Sequence, residues 1–165
     1  LHKAIHSFPT RRSSDLRHVG GVESLRDVTA DMLDTYKGEM DEVVYRRCRY
    51  VVDENQRLLD ACAALEKGDY VTFGQKMNGS HEGLSRQYEV SCDELDFLAD
   101  IGHRTDGVLG ARMMGGGFGG CTINLVRAEA YDGYLAEATD RFAHRFGHAP
   151  RVIEVNISQG ARRIG

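Results

Sequence analysis

The sequence has no tryptophan, only two prolines, and no apolar run approaching the roughly 18 residues a helix needs to cross a bilayer. No membrane partner is expected. Its four cysteines, Cys48, Cys62, Cys92 and Cys121, include no C-x-x-C pair, which argues against a zinc site or a redox motif. Three of them fall at apolar positions of expected elements, so buried, reduced thiols of a cytosolic protein are expected. His144 and His148 have a spacing that can hold a metal on one helix face. No Glu or Cys accompanies them and Gly147 lies between, so they read as a surface pair at a helix end and no metal ligand is assigned. Basic charge is not in excess: the formal net charge is −4, and no nucleic-acid partner is expected. The local cluster Arg46, Arg47 and Arg49 reads as the solvated face of a long helix.

Catalytic signatures are missing as well. Gly83-Leu84-Ser85 is followed by Arg86 inside a helical pattern, so it is no nucleophile elbow. Asp93, Glu94 and Asp96 surround a helix start, where acidic residues favour the helix dipole. His81, preceded by Asn78-Gly79-Ser80, reads equally as a general base or a helix cap, and nothing local decides between them. No catalytic residue is assigned in this chain.

What stands out is the hexapeptide Gly115-Gly116-Gly117-Phe118-Gly119-Gly120, between two stretches that read as strands, Leu109–Met114 and Cys121–Val126. A glycine run makes sense where the chain needs positive φ or must approach a backbone or ligand closely. Successive N–H groups in such a turn can also form an anion-binding concavity. The loop is therefore either a tight structural crossing or part of a phosphate site. Gly115, Gly117 and Gly120 formally satisfy G-x-G-x-x-G, but that fingerprint requires a helix after its last glycine. Cys121–Val126 alternates like a strand instead. A P-loop is excluded because no Gly-Lys-Ser/Thr follows.

At 165 residues, 41% hydrophobic and 28% charged, the sequence fits one soluble domain. Residues 1–16 are the exception. They lack hydrophobic periodicity, and Lys3, Arg11 and Arg12 against Asp15 give them +2, while the remainder carries −6. An Arg- and Ser-rich start can suggest a transit peptide. His6 to Leu16, however, resembles one reading frame of a common sequencing adapter. The expectation is that residues 1–16 are a non-native leader, that residues 17–165 form the domain, and that the natural protein begins further upstream.

Within that domain Val22–Val28 is expected as a short strand. The strongest helix runs from about Glu42 to Lys67, where Val44, Cys48, Val51, Asn55, Leu58, Cys62 and Leu65 form an apolar stripe with one polar member. Asp41 is its expected N-cap and Gly68 its stop; Asn55 is expected to be a buried, hydrogen-bonded packing residue. A helical pair follows, Tyr70–Met77 and Gly79–Tyr88. The next helix begins at Ser91, with Ser91 and Glu94 as a capping box, and Leu95, Leu98 and Ile101 as its apolar face. After the two strands come a helix over about Ala128–Phe146 and a final strand, Arg151–Ile157. Helices followed by a small sheet with a crossover helix indicate an α+β fold.

Several blocks in order carry a family resemblance: Leu25-Arg26-Asp27-Val28-Thr29; Val44-Tyr45-Arg46-Arg47 with Glu54-Asn55; Met77-Asn78-Gly79-Ser80-His81; Tyr88-Glu89-Val90-Ser91 with Glu94-Leu95-Asp96; and Gly110-Ala111-Arg112-Met113-Met114 running into the glycine loop and Cys121. Together they closely resemble the C-terminal half of the galactokinases, GHMP-superfamily sugar kinases, from about residue 23 to Gly160-Ala161. The resemblance implies ATP-dependent phosphorylation of the C1 hydroxyl of galactose, with Mg²⁺, in the cytosol. It implies a ferredoxin-like GHMP-kinase C-terminal domain with additional helices, lying against an N-terminal lobe of the same protein. It implies a nucleotide-neighbouring role for Gly115, Gly116, Gly117, Phe118, Gly119 and Gly120, and it transfers no catalytic role to His81 or Glu89.

Met114 departs from the family, which usually has a small hydroxyl residue just before the glycines. A larger departure is that the family's sugar motif Gly-Glu-His-Thr-Asp-Tyr-Asn and phosphate loop Pro-x-x-x-Gly-Leu-Ser-Ser-Ser, both in the N-terminal lobe, do not occur here. The chain alone is therefore expected to be inactive. The rival expectations are a non-catalytic sugar-sensing or binding module and an N-acetylgalactosamine kinase.

Overall fold

The structure, a computed structural model, describes residues 22–155. The expected leader, residues 1–16, lies outside them, as do residues 156 and 157 of the expected last strand. Along the chain come α1 (Ala30–Thr35), a 3₁₀ turn (Lys37–Glu39), α2 (Glu42–Glu66), α3 (Tyr70–Arg86), α4 (Asp93–Arg104), β1 (Val108–Met114), β2 (Cys121–Val126), a 3₁₀ turn (Ala128–Ala130) and α5 (Tyr131–Phe146). The two strands form one antiparallel hairpin with Met114 opposite Cys121 and an irregularity between Val108 and Gly110. Helices packed on a small antiparallel sheet make an α+β fold.

The ends of α2 follow its sequence. Asp41 accepts hydrogen bonds from the Val43 and Val44 N–H groups, and Gly68 has φ of +70°, the left-handed stop that glycine provides cheaply. Its packing differs from the expected stripe. Cys48 and Val52 join Val28 and Leu33 in a core cluster, and Asn55 Nδ2 lies 3.4 Å from the Leu25 carbonyl oxygen. Further along, Leu58 and Leu65 are 62% and 49% exposed, and Cys62 is exposed too. The face that meets α3 is a neighbouring, largely polar one. There Tyr50 lies under Gly83, Glu54 accepts from the Ser80 hydroxyl and pairs with Arg57, and Lys76 Nζ is 2.7 Å from Asp60. Ion pairs and a hydroxyl replace apolar contacts, so hydropathy alone points to the wrong side of the helix. Arg46, Arg47 and Arg49 are not a solvated face either: Arg49 pairs with Asp34 and Asp53, and the other two turn onto Glu89.

Helix α3 is one continuous helix, not a pair: it runs unbroken through Asn78 and Gly79, and two of its other glycines serve packing. A Cβ on Gly74 would lie 2.0 Å from the Leu109 carbonyl oxygen, and one on Gly83 would lie 2.4 Å from the Tyr50 ring. This lets α3 run directly against β1. Two outward-facing N–H groups of that strand are bound by helix side chains: Ala111 N donates to Asn78 Oδ1 at 2.8 Å and Met113 N to His81 Nδ1 at 3.1 Å. The Ala111 carbonyl oxygen lies 2.8 Å from His103 Nε2 on α4. Three side chains thus complete an edge where a further strand would otherwise pair.

Three other expectations are corrected. Val22–Val28 is a turn, since the Asp27 carboxylate collects the Glu23 and Ser24 N–H groups and the Ser24 hydroxyl, a local alternative to strand pairing. The Ser91–Glu94 capping box does not form. Helix α4 starts at Asp93 after an extended Cys92, and Ser91 Oγ is buried without a partner among the described residues. Residues 151–155 are exposed and carry no strand pairing.

A helical glycine is normally improved by alanine, by about 1 kcal/mol. Gly74→Ala should instead destabilise by about 1–3 kcal/mol, since α3 and β1 must separate. Gly133→Ala in α5, where a Cβ meets nothing within 4 Å, should be neutral or stabilising by up to about 1 kcal/mol. Urea unfolding of both variants checks the sign; equal responses would discount the close approach.

Candidate functional site

β1 and β2 hold the two ends of the glycine loop at the Met114–Cys121 pair. Between them φ is +86° at Gly115, +82° at Gly117, +58° at Phe118, +126° at Gly119 and +105° at Gly120. Such values are cheap for glycine and uncommon for Phe118, whose ring is 62% exposed. Phe118 N donates to the Val90 carbonyl oxygen at 2.8 Å, and a Cβ on Gly117 would sit 1.9 Å from that same oxygen. The loop is therefore a tight crossing at its centre. On its outer parts, a Cβ at Gly115, Gly116 or Gly119 would meet nothing within 4 Å. A strand and not a helix follows Gly120, so the dinucleotide fingerprint lacks its context.

His81 lies one strand away and is 5% exposed. Its Nδ1 accepts from Met113 N, which places the neutral ring's proton on Nε2. Nε2 points to Asp96 Oδ1 at 3.2 Å, a charge–dipole contact and not a well-aligned hydrogen bond; Asp96 also accepts from Ser85 Oγ at 2.8 Å. Burial pushes the imidazole below its usual 6.5, and His103 lowers it further, against the opposite pulls of Asp96 and Asp100. With its lone pair committed to β1, His81 is a structural pin and not a general base. Asp96 likewise does more than face the helix dipole: it reaches back to α3.

The set formed by buried Tyr50 and Ser80 with half-buried Glu54, Arg57 and Arg112 escaped sequence reading because its members come from α2, α3 and β1. Burial pushes the Tyr50 phenol up to about 12. Arg112 Nη1 is 3.9 Å from Glu54 Oε1. Every charge has a partner inside the set, so it packs elements together and offers no reactive group. A shallow pocket of about 260 Å³ is lined by Lys37, Glu42, Tyr45, Arg46, Arg49 and Gln87, and both of its arginines are drawn into ion pairs. Arg46 is engaged by Glu89, and Arg49 by Asp34 and Asp53. Among the described residues no group of three or more His, Cys, Asp or Glu could hold a metal ion, and no helix is long and apolar enough to cross a membrane.

Comparison with known proteins connects this geometry to a family. The family model described as "GHMP kinases C terminal" matches residues 61–141. A galactokinase of Clostridium beijerinckii is 36% identical over 153 residues, 92% of this chain and 39% of the relative. A galactokinase of Bos taurus is 46% identical over 125 residues, 74% of this chain and 32% of the relative. The crystal structure of Lactococcus lactis galactokinase complexed with galactose superposes with a TM-score of 0.79 at 33% identity, over 83% of this chain and 36% of that one. The chain thus spans about two fifths or less of the length of these relatives.

Two outcomes test the site. Gly117→Val should destabilise by about 3 kcal/mol or more, through both the clash with Val90 and the positive φ. Gly116→Ala should stay within about 0.5 kcal/mol. Equal effects in thermal unfolding would remove the crossing at Gly117. For His81, a folded value below the unfolded one means that the unfolded chain binds the proton first as pH falls. Its stabilising effect is therefore complete above 6.5 and is lost as pH drops towards the folded value. His81→Gln cannot titrate and still offers an acceptor to Met113. Between about pH 7 and about pH 5 its urea midpoint should fall less steeply than that of the parent chain; parallel curves would contradict the neutral pin.

Proposed function

Since residues 61–141 belong to the GHMP kinase C-terminal family, we propose that this chain is the C-terminal lobe of a galactokinase. In the complete protein this lobe closes on an N-terminal lobe of the same polypeptide, in the cytosol, and the pair transfers the γ-phosphoryl group of ATP to the C1 hydroxyl of galactose. The observation that carries the reading is the glycine loop, rigidly crossed at its centre and open at its flanks, within a stretch that matches galactokinases along 92% of the chain.

The residues fit a nucleotide neighbour. Gly115, Gly116 and Gly119 leave their outer faces bare of side chains, so backbone N–H dipoles can approach a phosphate. Gly117 and Phe118 anchor the loop, and Gly120 returns it to β2. ATP supplies the phosphoryl group; this chain's part is to present a fixed backbone beside it. Mg²⁺ does not fit the described residues, which hold no suitable ligand cluster, and no step through it is assigned to them. Phosphoryl transfer depends mainly on positioning and electrostatic stabilisation, so a lobe can take part by positioning backbone dipoles.

The test is ADP release measured for the complete protein and for this chain alone. The complete protein should turn over with galactose at about 1–100 s⁻¹, while the chain alone stays at background. Faster turnover of N-acetylgalactosamine would identify the sister kinase. Galactose binding by the complete protein without turnover would favour a sensing role.

A further inference from the structure

The loop's anchor, Val90, is itself held by a part of the chain that nothing so far has used. Val90 follows Glu89, one of two non-glycine residues with positive φ among the described ones, at +59°. A glutamate gains nothing from that conformation by itself, so something else must fix it. Its carboxylate is gripped from α2: Arg46 Nη2 is 2.8 Å and Arg47 Nη2 3.2 Å from the same Oε2 atom. One residue later, Val90 N donates to the Leu84 carbonyl oxygen at 3.0 Å, closing the end of α3. The Val90 side chain is 6% exposed in the cluster with Leu95 and Met113. Its carbonyl oxygen is then aimed at Phe118 N.

From this continuous line we infer that Glu89 is a positioning residue for the glycine loop, acting through its ion pairs with Arg46 and Arg47. The carboxylate ties the left-handed turn to α2, the turn orients the Val90 carbonyl, and that carbonyl fixes Phe118 and the face of Gly117. The pairs are partly exposed, with Glu89 46% accessible, so their effect is local ordering and not global stability. The consequence for nucleotide rests on the proposed function of the loop; the mechanical link does not.

Two variants separate side-chain charge from backbone preference. Glu89→Asn places in the turn a residue that tolerates the left-handed region well but cannot reach both arginines. Glu89→Gln keeps the length and removes the charge. Amide hydrogen exchange read at Phe118 and, as an internal reference, at Phe142 in α5 reports on both variants. We expect exchange at Phe118 to accelerate about fivefold in each variant, the effect of weakening one hydrogen bond's protection, with Phe142 unchanged. Arg46→Gln, away from the turn, should reproduce part of the acceleration. Unchanged or slower exchange at Phe118 in Glu89→Asn would overturn the inference, because backbone preference alone would then hold the turn. In the complete protein, a raised KM for ATP with kcat largely kept supports both the brace and the nucleotide reading. Faster Phe118 exchange with an unaltered KM supports the brace and removes the nucleotide role of the loop.

Discussion

The open edge of β1 is the constraint on which the rest depends. A two-stranded hairpin is marginal by itself, and its outward N–H groups would be left unpaired against a packed helix. Asn78 and His81 solve this together: both stand on one side of α3 and deliver an acceptor to alternate residues of the strand. Backbone amides buried without a partner cost about 1–3 kcal/mol each, so the helix must lie within hydrogen-bond reach. Only glycine at positions 74 and 110 allows that approach, since a Cβ on either would collide with the other element.

The same edge determines where the glycine loop can go. Met113, bound by His81, is the penultimate residue of β1; its side chain is fully buried with Val90 and Leu95. The strand therefore leaves the sheet beside the chain segment that links α3 to α4. That segment must stay extended through Cys92 to offer its carbonyl to Phe118, which explains why α4 starts at Asp93 and the Ser91 cap goes unused. A local capping preference of about 1 kcal/mol yields to a hydrogen bond, a close glycine contact and an apolar cluster acting together.

What the sequence revealed and what it hid divide along a physical line. Helix α2 and its caps, the hairpin strands and the glycine loop were legible because each signal is contiguous: an N-cap beside the helix it starts, alternation within one strand, a run of glycines. The role of His81 was not legible, because its partner Met113 lies 32 residues away. The true α2–α3 interface was hidden for a different reason. Glu54, Arg57 and Asp60 look like surface residues until Ser80 and Lys76 are brought against them, whereas Leu58 and Leu65 look like core and are left about half or more exposed. Hydropathy reports which side chains avoid water, not which neighbours the fold brings against them. The break expected between Met77 and Gly79 does not occur for a related reason: Asn78 serves β1 and Gly79 lies against the Arg57 side chain, both partners in other elements.

A loop with so many positive φ angles would be expected to wander, because glycine surrenders more backbone entropy on ordering than any other residue. Here it is fastened at two places: the Met114–Cys121 pair at its base and the Phe118–Val90 hydrogen bond at its centre. What remains on either side is three residues, Gly115 to Gly117, and two, Gly119 and Gly120, which are short spans between fixed ends. Pre-organised backbone dipoles are useful beside a developing charge because they need not reorganise at the moment of reaction. On the proposed function, then, the part of this lobe is to hold such dipoles in place beside the nucleotide. On that reading the glycine flanks of the loop are the surface offered, and the helix-to-strand edge at Asn78 and His81 is what keeps them in place.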